Sequence, residues 1–128
     1  MKILIVDDSY LLCERVRDAL LQIDGIEISG IANNGIDALQ MIKCKNPDFV
    51  IMDIRMPRKN GIEVLQQMKE MGNKSKVCIF TNFPYKQYKQ KCMEAGSSFF
   101  YSKNEDFNAM IDMLLKQTKK QKTKNPTG

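Results

Sequence analysis

Five polar residues carry the chemistry available to this sequence: Asp7, Asp8, Asp53, Thr81 and Lys103. Each closes a short apolar run. Ile3-Leu4-Ile5-Val6 leads into Asp7-Asp8, Phe49-Val50-Ile51-Met52 into Asp53, and Val77-Cys78-Ile79-Phe80 into Thr81. Ser98-Phe99-Phe100-Tyr101 ends just before Lys103. Continuous apolar runs bounded by turn signals fit strands buried on both faces, as in a parallel sheet. The carboxyl ends of such strands are where open α/β sheets bind their ligands. Three carboxylates gathered there repel one another, and partial burial would raise their pKa values. A hard divalent cation relieves that crowding, and Mg2+ typically takes one or two carboxylates together with waters and phosphate oxygens. With an ammonium and a hydroxyl beside them, the set matches the needs of phosphoryl transfer to a carboxylate. It offers a nucleophile, a metal site, a positive charge and a donor for the equatorial oxygens.

The segments between these runs must carry the chain back to the start of the next strand. Ser9 can cap a helix in which Leu12, Val16, Ala19, Leu20 and Ile23 share one face, stopped by Asp24-Gly25. Ile26 to Ala32 is a weaker strand with Gly30 inside it, followed by Asn33-Asn34-Gly35 and a helix with Ile36, Leu39 and Ile42 inward. Met56-Pro57 and Gly61 hold the loop after Asp53 out of helical conformation until a third helix begins, with Ile62, Leu65 and Met68 on one side. Pro84 suits the first turn of a fourth helix bearing Tyr88, Cys92 and Ala95, ended by Gly96. A last helix places Phe107, Met110, Ile111, Leu114 and Leu115 inward, with Glu105 and Asp106 in its first turn.

This alternation predicts an α/β fold, (βα)5, with a doubly wound parallel sheet and right-handed crossovers. In the strand order 2-1-3-4-5 the second strand, which no site residue follows, is an edge, and all five polar side chains converge at one end of the sheet.

The 128 residues, 43% of them apolar, fit one compact domain, expected over residues 1–118. The sequence has no run of eighteen apolar residues of the kind that could cross a membrane. The start, Met1-Lys2-Ile3-Leu4-Ile5-Val6-Asp7-Asp8, is unlike a signal peptide, so a cytoplasmic protein is expected. Cys13, Cys44, Cys78 and Cys92 form no C-x-x-C pair and there is no histidine, which argues against zinc and for reduced, mostly buried thiols. The net charge of +5 resides near the end of the chain, in Lys116, Lys119, Lys120, Lys122 and Lys124; the remaining acids and bases balance. Residues 119–128 have no apolar side chain to bury and are expected to form a disordered basic tail. Blocks of like charge can bind nucleic acid, but a solvated tail is the expectation here.

The pieces Val6-Asp7-Asp8-Ser9, Met52-Asp53-Ile54-Arg55-Met56-Pro57 with Gly61, Thr81-Asn82 and Phe100-Tyr101-Ser102-Lys103 resemble the receiver domain of bacterial two-component response regulators. The resemblance covers residues 2 to about 116 and implies a flavodoxin-like sheet. It implies that Asp53 is phosphorylated by a sensor histidine kinase or a phosphotransfer protein. It implies that Asp8, supported by Asp7, holds Mg2+ with Asp53 and the backbone carbonyl of Arg55. Thr81 and Lys103 would bind the phosphoryl oxygens, and Phe100 falls at the family's switch aromatic. The face built from the fourth helix, fifth strand and fifth helix would then change its affinity for a downstream protein, with homodimer formation on phosphorylation a further expectation. The chain looks like a receiver without a fused output domain. Asn104 stands where many receivers carry proline, so a cis peptide after Lys103 is disfavoured by about 2.5–4 kcal/mol.

Other functions fit less well. An Mg2+-dependent phosphohydrolase with an aspartyl-phosphate intermediate would resemble a D-x-D pattern after the first strand plus a cap insertion, and Asp7-Asp8-Ser9-Tyr10 breaks that spacing. An FMN carrier would need a hydroxyl- and glycine-rich phosphate loop where two acids stand. DNA binding would require that this chain be the receiver half of a longer regulator. The expectation is thus a phosphoacceptor and not an enzyme.

Overall fold

The computed structural model describes residues 1–124, with side chains through Gln121. The apolar runs become strands and the helically spaced segments become helices. They follow in the order β1 (Lys2–Val6), α1 (Tyr10–Leu20), β2 (Glu27–Ala32), α2 (Gly35–Lys45), β3 (Phe49–Met52), α3 (Gly61–Glu70), β4 (Lys76–Thr81), α4 (Lys86–Glu94), β5 (Phe99–Ser102) and α5 (Phe107–Lys124). All pairings are parallel, and the sheet order is β2-β1-β3-β4-β5. This is the (βα)5 doubly wound, flavodoxin-like architecture expected from the alternation.

Because strand side chains alternate between faces, one sheet feeds two cores. Leu4, Val6, Val50, Met52, Val77 and Ile79 pack under α2, α3 and α4, through Leu39, Ile42, Val64, Leu65, Met68 and Cys92. Ile3, Ile5, Phe49, Ile51, Cys78 and Phe80 pack under α1 and α5, through Cys13, Val16, Leu20, Met110 and Leu114. The central strands β1 and β3 are buried along their apolar runs. Burying each such side chain contributes about 1.5–3 kcal/mol. The sheet is therefore a rigid base for whatever its carboxyl edge carries.

Helix ends follow local chemistry. The Ser9 hydroxyl accepts from the Leu12 N–H at 3.3 Å, and Asn34 accepts from Asp37 N–H at 2.9 Å. Asn46 leaves α2 in the left-handed region, φ 46°, a conformation asparagine tolerates better than most residues.

Several sequence expectations need correction. α1 stops at Leu20, so Ile23 reaches the core from the following turn rather than from the helix. Ile36 is 40% and Leu115 37% exposed, because the buried faces are set by Ala38, Leu39 and Ile42 in α2 and by Met110, Met113 and Leu114 in α5. α4 begins at Lys86, two residues past Pro84. Glu105 and Asp106 precede α5 rather than forming its first turn; Asp106 takes the Ser102 N–H at 2.8 Å and offers its carbonyl to Met110. α5 continues to Lys124, into the segment expected to be a disordered tail, since lysine and glutamine are good helix formers and no glycine or proline intervenes before Pro126. Residues 125–128 lie outside the described residues. Among the described cysteines, Cys13, Cys78 and Cys92 are buried, Cys44 is exposed, and all are free thiols. No helix among the described residues is long and apolar enough to cross a membrane.

Candidate functional site

Each site residue is delivered by the strand before it. The Asp7 N–H bonds the Ala32 carbonyl at 3.0 Å, continuing the β1–β2 ladder by one rung, and the Asp53 N–H bonds the Val6 carbonyl at 3.0 Å, doing the same between β1 and β3. The Lys103 N–H bonds the Thr81 carbonyl at 2.8 Å, which fixes the end of β5 to the end of β4. Sheet hydrogen bonds therefore set the backbone positions of the site. The loop after Asp53 is locked next. The Gly61 N–H donates to the Ile54 carbonyl at 2.7 Å. A Cβ on Gly61 would overlap the Asp53 carbonyl, so only glycine lets α3 start this close to the acceptor strand. A Cβ on Gly35 would likewise overlap the backbone of Lys59, so α2 braces the same loop.

Within this frame Asp7, Asp8 and Asp53 bring carboxylate oxygens within 4.8 Å of one another. It is the one acidic or metal-ligating group of this kind among the described residues. Asp7 and Asp53 are buried, at 3% and 6% exposure, whereas Asp8 is exposed. Lys103 reaches across from the end of β5 and bridges the two buried acids, with Nζ 2.6 Å from Asp7 Oδ2 and 2.9 Å from Asp53 Oδ2. The other oxygens are also used: Asp7 Oδ1 accepts from Ser9 N–H at 2.8 Å and Asp53 Oδ1 from Ile54 N–H at 2.7 Å.

The charges respond to that packing. Burial pushes the Asp7 carboxyl above its ordinary value, and the bond from Lys103 offsets this only in part. For Lys103 burial works downward, but the hydrogen bonds and charges of Asp53 and Asp7 outweigh it and leave the ammonium above its ordinary value. Lys103 is thus protonated across the physiological range. One ammonium bridges two of the three clustered carboxylates, so the site keeps an excess of negative charge and a set of hard oxygen donors, the chemistry that suits Mg2+ over softer ions.

Thr81 is fully buried, and its hydroxyl oxygen accepts from Phe83 N–H at 3.0 Å. Phe100 is half-buried and packs against the core under α4. The Lys103–Asn104 peptide is trans, as the asparagine predicts. Asp7, Asp8, Asp53, Thr81 and Lys103 therefore all stand at the same edge of the sheet, as the sequence predicts. The Arg55 and Phe83 positions border the expected phosphate, but the sequence does not show the contact that the Arg55 side chain makes. That side chain leaves the acid cluster, its guanidinium lies 3.9 Å above the Phe83 ring, and it donates to the Tyr88 hydroxyl at 3.2 Å. No periodic pattern announces this contact. A cation in one loop and aromatics in a later one are the only signal, and cation–π pairs need tertiary placement.

Comparison with known proteins agrees with this geometry. Residues 3–115 match the profile of the family described as the response regulator receiver domain. The chain is 32% identical over 113 residues to the chemotaxis protein CheY of Halobacterium salinarum, covering 88% of this chain and 92% of that one. It is 37% identical over 110 residues to a Pseudomonas aeruginosa protein provisionally described as a transcriptional regulator, covering 86% of this chain and 53% of that one. The chain spans about half the length of several of the curated relatives it matches, 53% in each of five. Among solved structures, the complex of CheX with CheY, BeF3 and Mg from Borrelia burgdorferi superposes with a TM-score of 0.82 at 25% identity, covering 91% of this chain and 87% of that one. Sheet order, strand-end acids, threonine and lysine, together with the sequence match over nearly the whole chain, show that this protein belongs to the response regulator receiver domain family of two-component systems.

Proposed function

We propose that this chain is a phosphoacceptor switch in which Asp53 takes a phosphoryl group from a phosphohistidine of a sensor kinase or phosphotransfer protein. The observation that carries it is the Lys103 bridge: one ammonium holds Asp53 and Asp7 at the carboxyl edge of the sheet. In the transfer an Asp53 oxygen forms the O–P bond while the P–N bond to the donor histidine breaks. The bonding pair stays on the imidazole nitrogen, which takes up a proton. Lys103 remains beside the product and balances charge delivered to a site already rich in carboxylates.

Asp8 and Asp53, with Asp7 in support and the Arg55 backbone carbonyl, would hold Mg2+, which when bound neutralises carboxylate and phosphoryl charge during transfer. The donor set supports this: three hard carboxylates lie within 4.8 Å, and one is exposed and faces no ammonium. Thr81 and Lys103 bind the phosphoryl oxygens. For Thr81 this means redirecting a hydroxyl that now accepts from Phe83. That movement would free space for the half-buried Phe100 and alter the α4–β5–α5 face toward a downstream protein partner. The chain is on this reading a cytoplasmic signalling module, not an enzyme that turns over a separate substrate, and phosphorylation can favour a homodimer. A second reading, the receiver half of a DNA-binding regulator, is favoured by the half-length match to a relative described as a transcriptional regulator. The phosphohydrolase reading has no support in the adjacent Asp7-Asp8 pair.

The test is intact mass after incubation with Mg2+ and acetyl phosphate. The expected outcome is one added phosphoryl group, labile to base and absent from Asp53→Ala. No adduct in the wild type while Mg2+ binds would count against the acceptor role with small donors and shift the claim to transfer from a kinase alone.

A further inference from the structure

We propose that Arg55 and Tyr88 form a clasp that holds α4 in place in the unphosphorylated chain and that a phosphoryl group on Asp53 opens it by attracting Arg55. This inference rests on Asp53 being the acceptor. Arg55 lies two residues beyond that carboxylate, in the loop locked by Gly61. Its guanidinium does not pair with the nearby acids. It lies over the Phe83 ring at 3.9 Å and donates to the Tyr88 hydroxyl at 3.2 Å. Phe83 follows Thr81 by two residues, and Tyr88 belongs to the first turns of α4. Tyr85 joins the same cluster, its ring centroid 6.2 Å from that of Phe83 and 5.9 Å from that of Tyr88. One side chain of the acceptor loop is thereby tied to both the β4–α4 connection and the helix.

α4 has little else to hold it. Its N-cap residue, Tyr85, makes no side-chain cap bond, and Cys92 is the one residue of the helix that is buried. The Arg55 contacts are exposed and sit at the weak end of cation–π and neutral hydrogen-bond strength. A phosphoryl group adds about 1.5 to 2 negative charges and three acceptor oxygens at Asp53. Charge-assisted, bidentate bonds from a guanidinium to phosphate are about twice as strong as neutral ones. Arg55 therefore exchanges an aromatic, neutral partner for an anionic one, and α4 loses its tie to the acceptor loop. Thr81 and Phe100 act along β4 and β5; the clasp is a separate route that starts from the β3–α3 loop.

Amide hydrogen exchange of residues 83–94, read by mass spectrometry, tests this in wild type, Arg55→Ala and Tyr88→Phe, each with and without Mg2+ and acetyl phosphate. Expected in the wild type is an increase of about fivefold in exchange on phosphorylation. Without phosphoryl donor, both variants should already exchange at close to that raised level, and phosphorylation should add little. Residues 61–70 serve as the internal reference and should not change. Tyr88→Phe, which removes a hydroxyl bonded to the Arg55 side chain and leaves Asp53, Thr81, Lys103 and the Arg55 backbone in place, should still gain the phosphoryl mass. Equal exchange of residues 83–94 in wild type and both variants before phosphorylation would overturn the clasp. A full phosphorylation response surviving in Arg55→Ala would also overturn it. Absence of phosphoryl mass in the wild type would instead count against the acceptor role with small donors, while the comparison of unphosphorylated variants would still decide whether the clasp exists.

Discussion

α3 and α4 cover the same face of the sheet but are held in different ways. α3 opens with a capping box, in which Asn60 accepts from Glu63 N–H at 2.9 Å and the Glu63 carboxylate accepts from Asn60 N–H at 3.1 Å. It buries Val64, Leu65 and Met68 and abuts the Asp53 carbonyl through Gly61. α4 has no side-chain cap and buries Cys92 alone. Three large apolar side chains at about 1.5–3 kcal/mol each, plus a cap at about 1 kcal/mol, hold α3, against one small thiol side chain in α4. The difference teaches where motion is inexpensive. The acceptor loop is fixed by the well-held helix, while the neighbouring helix can shift without disturbing the carboxylates.

Truncation on either side gives the largest contrast. Leu65→Ala should lower unfolding free energy in urea by about 3 kcal/mol, since the side chain is buried and leaves a cavity. Met93→Ala, at a position 45% exposed on α4, should cost under about 0.5 kcal/mol. Equal costs would break the comparison. Next, Gly61→Ala should cost about 2 kcal/mol by overpacking against the Asp53 carbonyl and should slow phosphoryl uptake. Gly96→Ala, just after α4, meets no neighbouring atom and pays only for its φ of +107°, about 1 kcal/mol. The same urea titration read beside the uptake rate separates the two. Asn60→Ala should lose about 1 kcal/mol with the α3 cap. Tyr85→Ala removes no cap bond and should cost less.

The smallest effect is kinetic. Burial pushes the Cys92 thiol up to about 11, as it does Cys13, and pushes Cys78 higher still. Since the thiolate is the reactive form, Cys92 should react slowly at neutral pH while it stays buried. In a Cys44→Ser background, which removes the exposed thiol, Cys92 should react before Cys78, through opening of α4 that needs no global unfolding. Phosphorylation should widen that gap. Simultaneous reaction of Cys92 and Cys78 would mean that α4 opens only when the whole chain does.

The sequence made the sheet and its polar edge legible because buried parallel strands carry continuous apolar runs. Ile3–Val6, Phe49–Met52 and Val77–Phe80 could hardly be anything else, and the residue that ends each run marks the carboxyl edge. Helix faces were less legible. Ile36 and Leu115 are apolar at plausible spacing, yet they fall beside the buried stripe, because the stripe's centre depends on how each helix is rotated on the sheet. Asn60-x-x-Glu63 is a readable capping signature. The steric need for glycine at Gly61 and Gly35 is set by loops that meet only in three dimensions, and so is the stacking of Arg55 on Phe83. The extension of α5 past Lys119 turned on helix propensity where composition pointed to disorder.

The central claim is that Asp53, among three clustered carboxylates, receives the phosphoryl group. Borohydride reduction of the phosphorylated chain marks the acyl phosphate as an alcohol, and trypsin then separates the candidates. Asp53 lies on the peptide 46–55, and Asp7 and Asp8 lie on 3–15. The account predicts the mark at Asp53 of peptide 46–55 and none on 3–15. A mark at Asp7 or Asp8, with 46–55 unmodified, would contradict it.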